Sequence, residues 1–223
     1  MRISLTIGPR ERTLLTVSGK TNSDRKTERR QETRAEIVEA SWESVRENGL
    51  AGLSMRDLGE RVGMRAQSIY SYFASKHDIY DAMFLEGYQA FSEWMDEATH
   101  DERFATDPVG AARQAVHAFV DFCTTDPVRY QLLFQRTIPG FTPSTESYAV
   151  ALHAYEQVRV LLVAIGVHDQ ETLDVWTAIM TGLTDQQISN DPGGDRWTQL
   201  IDRVVDMLLS DARLHTDTES EKA

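Results

Sequence analysis

Residues 54–76 read SMRDLGERVGMRAQSIYSYFASK. They contain one short segment with apolar residues at helical spacing before a three-residue connection and a second such segment after it. Met55, Leu58 and Val62 repeat at i, i+3 and i+7, which predicts a short helix over residues 55–61. The connection, residues 62–64, is too short for an antiparallel hairpin and suits two helices that cross as a helix-turn-helix. We predict the second helix over residues 65–72.

Three residues have the spacing that such a crossing requires. The small residue Gly59 lies where the two helices meet, and Gly63 can take a left-handed conformation in the turn four positions later. The branched residue Ile69, six positions further on, anchors the second helix. The outward positions are then those of Arg65, Ala66, Gln67, Ser68 and Ser71.

These outward residue types suit the major groove of DNA. Arginine can bridge the two acceptors of guanine, glutamine can pair with adenine, and small side chains allow close approach. Tyr70, Tyr72 and Lys76 follow where the helix would leave the groove, with polar tips able to reach phosphate oxygens. The alternative is that the two tyrosines are core aromatics, as we expect for Phe73.

The segment from Arg34 to about Met83 resembles the DNA-binding domain of the tetracycline-repressor (TetR/AcrR) family of bacterial transcription regulators. Members of that family carry a pattern close to G-V-S-x-x-x-[LI]-Y-x-[HY]-F-x-[SN]-K, and residues 63–76 here read GMRAQSIYSYFASK. Two positions depart from it: Arg65 replaces a frequent capping serine, and Leu58-Gly59 replaces the common Ile-Ala. The resemblance implies that residues 65–68 and 71 meet bases or phosphates, while Tyr70, Tyr72 and Lys76 hold the DNA backbone.

In the rest of the chain, segments with apolar residues at helical spacing alternate with short segments rich in turn-forming residues. We therefore predict an all-α protein. Thr33, Ser54 and Ser75 are candidate N-caps. Further helices are predicted over residues 33–48, 75–98, 108–124, 127–136, 144–165, 169–189 and 195–212. The expected domains are a flexible N-terminal arm (1–30), a three-helix DNA-binding domain (31–78), a helical regulatory and dimerisation domain (79–213) and a disordered tail (214–223). Native translation starting at Val17 instead of Met1 is a further hypothesis.

Charge is divided unevenly along the chain. Residues 1–78 hold 14 Lys and Arg against 11 Asp and Glu, a net +3, whereas residues 79–223 hold 9 against 24, a net −15. Contact with DNA phosphates is therefore expected in the first third only. Arg25, Lys26, Arg29, Arg30 and Arg34 could add phosphate or minor-groove contacts, or could simply be solvated.

The resemblance also implies that the C-terminal helices form a ligand cavity and a dimer interface. Candidate pocket residues, each of which could instead be plain core, are Phe119, Phe122, Cys123, Tyr130, Phe134, Tyr148, His153 and Trp176. Broad apolar stripes on the last two helices support the interface independently, against the alternative of a monomer that buries them. The candidate interface residues are Trp176, Ile179, Met180, Leu183, Trp197, Leu200, Ile201, Val204, Val205 and Leu208.

The leading hypothesis is a homodimeric transcriptional regulator, a repressor that binds a palindromic DNA operator and is released by a small-molecule effector. No nucleophile motif, phosphate loop or metal-ligand set is found, so we expect no enzyme activity, no cofactor and no metal site. We expect a soluble, cytoplasmic protein that does not bind membranes. An effector-independent DNA-binding or architectural protein is the alternative.

Overall fold

The computed structural model describes residues 22–99 and 106–220, which form nine α-helices and two short 3-10 helices. The α-helices are α1 (Asn22–Asn48), α2 (Met55–Arg61), α3 (Ala66–Ile69), α4 (Lys76–Thr99), α5 (Pro108–Thr125), α6 (Pro127–Phe134), α7 (Thr145–Ala164), α8 (Gln170–Asn190) and α9 (Ile201–Ser220). No strand occurs within these two ranges, and the all-α prediction is confirmed. None of the described helices offers the length of apolar sequence that crossing a bilayer requires.

Side chains placed just before the first turn cap several helices by accepting backbone N–H groups. The capping pairs are Ser75–Asp78, Asp107–Gly110, Asp126–Arg129, Ser144–Ser147 and Asp169–Thr172. At α4 the cap is reciprocal, because the Ser75 N–H also donates to the Asp78 carboxylate at 3.0 Å. The cap predicted at Ser75 is thus confirmed.

Of the other two predicted caps, Thr33 is wrong, and Ser54 is confirmed in position only. α1 begins at Asn22, so Thr33 lies inside the helix and its hydroxyl donates to the carbonyl of Arg29 at 3.0 Å. Ser54 occupies the N-cap position of α2 but makes no side-chain capping bond. The carboxylate of Asp57, three positions later, accepts from the Ser44 hydroxyl at 2.6 Å and from Arg61 at 2.9 Å.

Two segments predicted as flexible are helical. Residues 22–30, assigned to the arm, form the first turns of α1, because their Arg, Lys, Glu and Gln residues favour helix without an apolar stripe. Residues 214–220, assigned to the tail, continue α9, where neither proline nor glycine ends the helix. Residues 1–21, including the hypothetical start at Val17, and 221–223 lie outside the described residues.

The buried side chains form two regions, and α4 contributes residues to both. The first joins α1, α2, α3 and the start of α4 around Trp42, Leu58, Ile69, Phe73 and Ile79. The second region comprises two apolar clusters among the later helices, and Phe84, Phe91 and Met95 bring the rest of α4 into one of them. A single helix of 24 residues therefore contributes to both buried regions.

Candidate nucleic-acid interface

The backbones of α2 and α3 lie in close contact where the two helices cross, at Gly59. A Cβ atom on Gly59 would lie 2.7 Å from the carbonyl oxygen of Met64 and 3.0 Å from the nitrogen of Ala66, so only glycine allows this approach. Gly63 has φ of 66°, the left-handed conformation predicted for the turn. Ile69 is fully buried against Leu58 and its neighbours. The predicted roles of these residues are confirmed.

α3 presents a polar surface away from that core. Arg65, Gln67, Ser68, Ser71 and Lys76 are exposed, and Ala66 is half-buried beside Gly59. The helix is shorter than predicted: it ends at Ile69, and residues 70–72 form a turn closed by the Tyr72 N–H to the Ile69 carbonyl at 2.9 Å. Tyr70 is 48 % exposed, whereas the half-buried Tyr72 packs against the first core.

Two arginines of α1 hold the turn that follows α3. Arg30 donates to the carbonyl of Ser71 at 2.6 Å and lies 4.9 Å from the centre of the Tyr72 ring. Arg34 donates to the carbonyl of Tyr72 and lies 4.0 Å from the centre of the Phe73 ring. No local sequence pattern indicates these contacts, because each joins residues about 40 positions apart. Both arginines were candidates for DNA contact, and both bind the protein itself.

Carboxylates already pair with the arginines of α2. Arg61 bonds to Asp57 and Glu47, and Arg56 bonds to Glu60 at 3.0 Å. The Ser44 hydroxyl, followed by Arg61, lowers the pKa of Asp57 below its ordinary value. Within the described ranges, Arg65 and Lys76 have no such carboxylate partner. Positive charge is thus left uncompensated at the start and just beyond the end of the exposed α3 surface.

A cavity of about 200 Å³ lies between α4, α5, α7 and α8. Of the predicted pocket residues, Phe119, Phe134 and Trp176 line it. Phe122, Cys123 and Tyr130 are buried in the adjacent core without lining it, and Tyr148 and His153 are exposed. Burial raises the pKa of the Cys123 thiol, as expected of a small apolar core residue. Tyr88, Met95 and Thr177, which line the cavity, were not among the candidates.

The predicted dimer stripe faces mostly inward. Six of its members are buried in the protein's own core, namely Trp176, Met180, Leu183, Ile201, Val205 and Leu208. They fill the space between α5, α8 and α9, which is the packing that the monomer alternative predicts for them. Ile179, Trp197, Leu200 and Val204 keep some exposure. Val175 and Met207 are among the most exposed apolar side chains of α8 and α9.

Polar side chains join α5 to α9 beside these apolar contacts. Arg113 bonds to the carbonyl of Asp202 at 2.9 Å and to the carboxylate of Asp206. The His117 ring lies 3.1 Å from the Asp202 carboxylate and, as the largest cause, lowers the pKa of that group. Across the described ranges, no group of three or more His, Cys, Asp or Glu side chains is placed to hold a metal ion.

Comparison with known proteins agrees with this geometry. Residues 37–83 match the family model described as bacterial regulatory proteins, tetR family. The HTH-type transcriptional regulator Rv1816 of Mycobacterium tuberculosis is 27 % identical over 115 residues, 50 % of this chain and 47 % of that protein. The regulator TtgR of Pseudomonas putida is 30 % identical over 90 residues, 40 % of this chain and 42 % of TtgR. The chain thus spans about half the length of the curated relatives it matches.

Solved structures share the fold over most of the chain. The regulatory protein SCO4313 has a TM-score of 0.66 at 18 % identity, covering 82 % of this chain and 98 % of that one. FadR from Bacillus subtilis, solved with stearoyl-CoA, has a TM-score of 0.59 at 17 % identity, covering 79 % and 97 %. Rv1816 and FadR are both described as transcriptional regulators. The helix-turn-helix segment thus matches the model of the tetR family of bacterial regulatory proteins, half of the chain is similar to curated transcriptional regulators, and most of the chain shares its fold with solved structures.

Proposed function

We propose that the protein is a homodimeric transcriptional repressor that binds a palindromic operator and is released by a small molecule. The observation that carries the DNA-binding part is the exposed surface of α3, whose cation Arg65 lacks a carboxylate partner among the described residues while Ile69 fixes the helix to its domain. A cytoplasmic location belongs to the same proposal. So does a division between a DNA-binding and a regulatory domain near residue 78.

Two sets of residues have different tasks in this proposal. Arg65, Ala66, Gln67 and Ser68 meet base edges, because they lie on the exposed or half-exposed side of α3. Ser71, Tyr70, Tyr72 and Lys76 bind phosphates at the end of the groove. The Ser71 hydroxyl donates to the carbonyl of Ser68 at 2.7 Å, so it would meet a phosphate only through a water or a rearrangement.

A twofold dimer would supply a second copy of this surface. One short helix reads only a few base pairs, so a regulator of this size needs two half-sites for specificity. The exposed apolar residues Val175, Ile179 and Met207 support an interface on α8 and α9. Ile179 was already a candidate from the sequence. In this proposed interface, Val175 and Met207 take the place of the candidates that are buried.

Coupling between DNA and effector would run through α4. Lys76 opens this helix beside the DNA-binding surface, and Tyr88, Phe91 and Met95 further along it line the cavity. A molecule that favours one position of α4 would change the separation of the two α3 helices in a dimer and thereby the operator affinity. The structures solved of FadR with stearoyl-CoA and of EbrR with imidazole support a ligand-responsive site in this fold.

The test is to select bound fragments from the source genome and map the protected bases with the purified protein. One short palindrome, protected at low protein concentration and freed by a metabolite, is the expected result. Protection of a palindrome that no metabolite relieves would support the effector-independent alternative. Uniform coverage of all sequences would overturn specific regulation.

A further inference from the structure

The indole N–H of Trp176 is a buried donor without an acceptor. Trp176 is 2 % exposed and lines the cavity between α4, α5, α7 and α8. Its Nε1 atom is buried, and no acceptor lies within hydrogen-bond distance among the residues that the structure describes. Because buried polar groups are nearly always paired, this N–H indicates a site where a bound molecule supplies the acceptor.

The hydroxyl groups in the same wall already have acceptors. The Tyr88 hydroxyl donates to the carbonyl of Leu133 at 3.1 Å, and Thr177 and Thr181 donate to helix carbonyls at 2.9 and 2.8 Å. Tyr155, the remaining hydroxyl of the wall, is 41 % exposed. Within the described part of the wall, the indole of Trp176 is therefore the buried donor available to a ligand.

The wall offers no charge. None of the lining residues is Lys, Arg, His, Asp or Glu. Burial also raises the pKa of the Tyr88 hydroxyl, which keeps it neutral. An ionised ligand would lose its hydration without gaining an opposite charge, so the cavity selects against it.

Size and shape limit the ligand further. Phe91, Phe119 and Phe134 meet edge to face, with ring centres 5.4 to 6.1 Å apart, and suit a further aromatic ring. An engineered apolar cavity of about 150 Å³ holds benzene. The cavity of about 200 Å³ found here scales to about eight to ten non-hydrogen atoms.

We propose that this cavity binds a compact, uncharged molecule with an aromatic or similarly apolar body and one hydrogen-bond acceptor, which the Trp176 indole N–H recognises. Naming that molecule class as the effector rests on the proposed function, but the binding itself does not. A ketone, ester or amide oxygen would serve as the acceptor.

Three molecules of nearly the same size test the proposal by calorimetry on the full-length protein without DNA. Acetophenone has the ring and the acceptor, α-methylstyrene replaces the carbonyl oxygen with a methylene group, and benzoate adds a negative charge. The affinity ratio of acetophenone to α-methylstyrene is expected to fall about three- to ten-fold in Trp176→Phe, because phenylalanine keeps an aromatic ring and loses the donor. Benzoate should bind more weakly than acetophenone to the wild-type protein.

Trp197→Phe is the matched control. Trp197 also has a buried indole nitrogen without a partner among the described residues, but it does not line the cavity, so its substitution should leave the ratio unchanged. In the wild-type protein labelled with ¹⁵N, acetophenone should move one indole N–H resonance downfield, and α-methylstyrene should not. This measurement keeps the test valid if Trp176→Phe fails to fold.

An unchanged ratio in folded Trp176→Phe, absence of an indole shift, or preferred binding of benzoate would overturn the assignment of the ligand class. Operator binding is measured separately. If acetophenone occupies the cavity and leaves operator affinity unchanged, the effector role fails while the site stands. If a charged molecule releases the operator and acetophenone does not bind, the site fails while the proposed function stands.

Discussion

The position of α3 on the protein surface depends on a single residue, Gly59. At Gly59, backbone atoms of Met64 and Ala66 occupy the space that a side chain would need. Because the crowding atoms belong to the backbone of the turn and of α3, a larger residue can be fitted only by moving α3. The position of the exposed polar surface therefore depends on the absence of one Cβ atom.

Gly59→Ala should destabilise the protein even though alanine favours helix by up to about 1 kcal/mol. Overpacking against backbone costs about 1 to 3 kcal/mol, so a net loss of about 1 to 2 kcal/mol is expected in urea unfolding. The matched control is Gly182→Ala in α8, where a Cβ would meet no atom within 4 Å. That variant should be as stable as the wild type or more stable. Equal gains at both positions would contradict the crowding at Gly59.

Substitutions on the α3 surface should separate base recognition from phosphate binding. Arg65→Ala or Gln67→Ala is expected to change base preference at one or two operator positions by about 1 to 3 kcal/mol. Tyr70→Phe or Lys76→Ala should weaken binding to all sequences alike. Competition binding with a panel of single-base operator variants measures both effects. Equal, unselective losses in all four variants would count against base contact by Arg65 and Gln67.

Asp57 should contribute stability that depends on pH. Its pKa in the folded protein lies below the ordinary 3.8, because the Ser44 hydroxyl and then Arg61 favour the charged form. A lowered pKa stabilises the fold at pH values above the ordinary one, and this contribution is lost as the pH falls through the lowered value. The difference in unfolding free energy between wild type and Asp57→Asn should therefore shrink below a pH of about 4. Glu60→Gln, in an exposed pair with Arg56, is the control and should change little.

At the scale of elements, the sequence predicts best where local signals suffice. The bounds of α2 were predicted correctly from the apolar period and Gly63. The start of α4 was predicted correctly from the capping residue Ser75. The start of α1 was missed because its first turns carry no apolar stripe and are held by contacts of Arg30 with residues 71 and 72. The inward packing of six residues of the α8 and α9 stripe was not predicted, because a periodic pattern does not say whether its own chain or a partner covers it.

The first turns of α1 should stabilise the turn after α3. Arg30→Ala removes a hydrogen bond to the Ser71 carbonyl and a cation–π contact with Tyr72, and should lower the unfolding free energy by about 1 kcal/mol. Arg29→Ala, which removes an exposed cation one position earlier, should stay within about 0.5 kcal/mol of wild type. Thermal and urea unfolding measure both variants. Equal losses of unfolding free energy in the two variants would mean that Arg30 stabilises the fold only through its positive charge and not through its contacts with residues 71 and 72.

For the molecule as a whole, the uneven charge would orient the protein in the proposed complex with DNA. The exposed α3 surface lies in the part of the chain with net +3, and the remainder carries −15. A polyanion is repelled by the second part, so approach through the later helices is disfavoured at low salt. Screening weakens both effects as the ionic strength rises.

The proposed dimer can be tested with two exposed apolar residues on different helices. Ile179→Asp should dissociate the dimer and raise its dissociation constant by about 100-fold or more, because each interface would bury two unpaired carboxylates. Leu152→Asp places the same charge on exposed α7 and should leave the dimer intact. Sedimentation analysis gives the oligomeric state. A dimer that survives Ile179→Asp and dissociates with Leu152→Asp would move the interface to α7.

The way α3 is attached also bears on how its target sequence could change. Ile69, Gly59 and the backbone of the turn fix this four-residue helix from one side, whereas Arg65, Gln67 and Ser68 make no contact that the core requires. Substitutions at these three positions can accumulate with little loss of folding. If these side chains meet base edges as proposed, descendants of such a gene can acquire new binding sequences, and an engineer can exchange the same three side chains to redirect the protein, without rebuilding the scaffold.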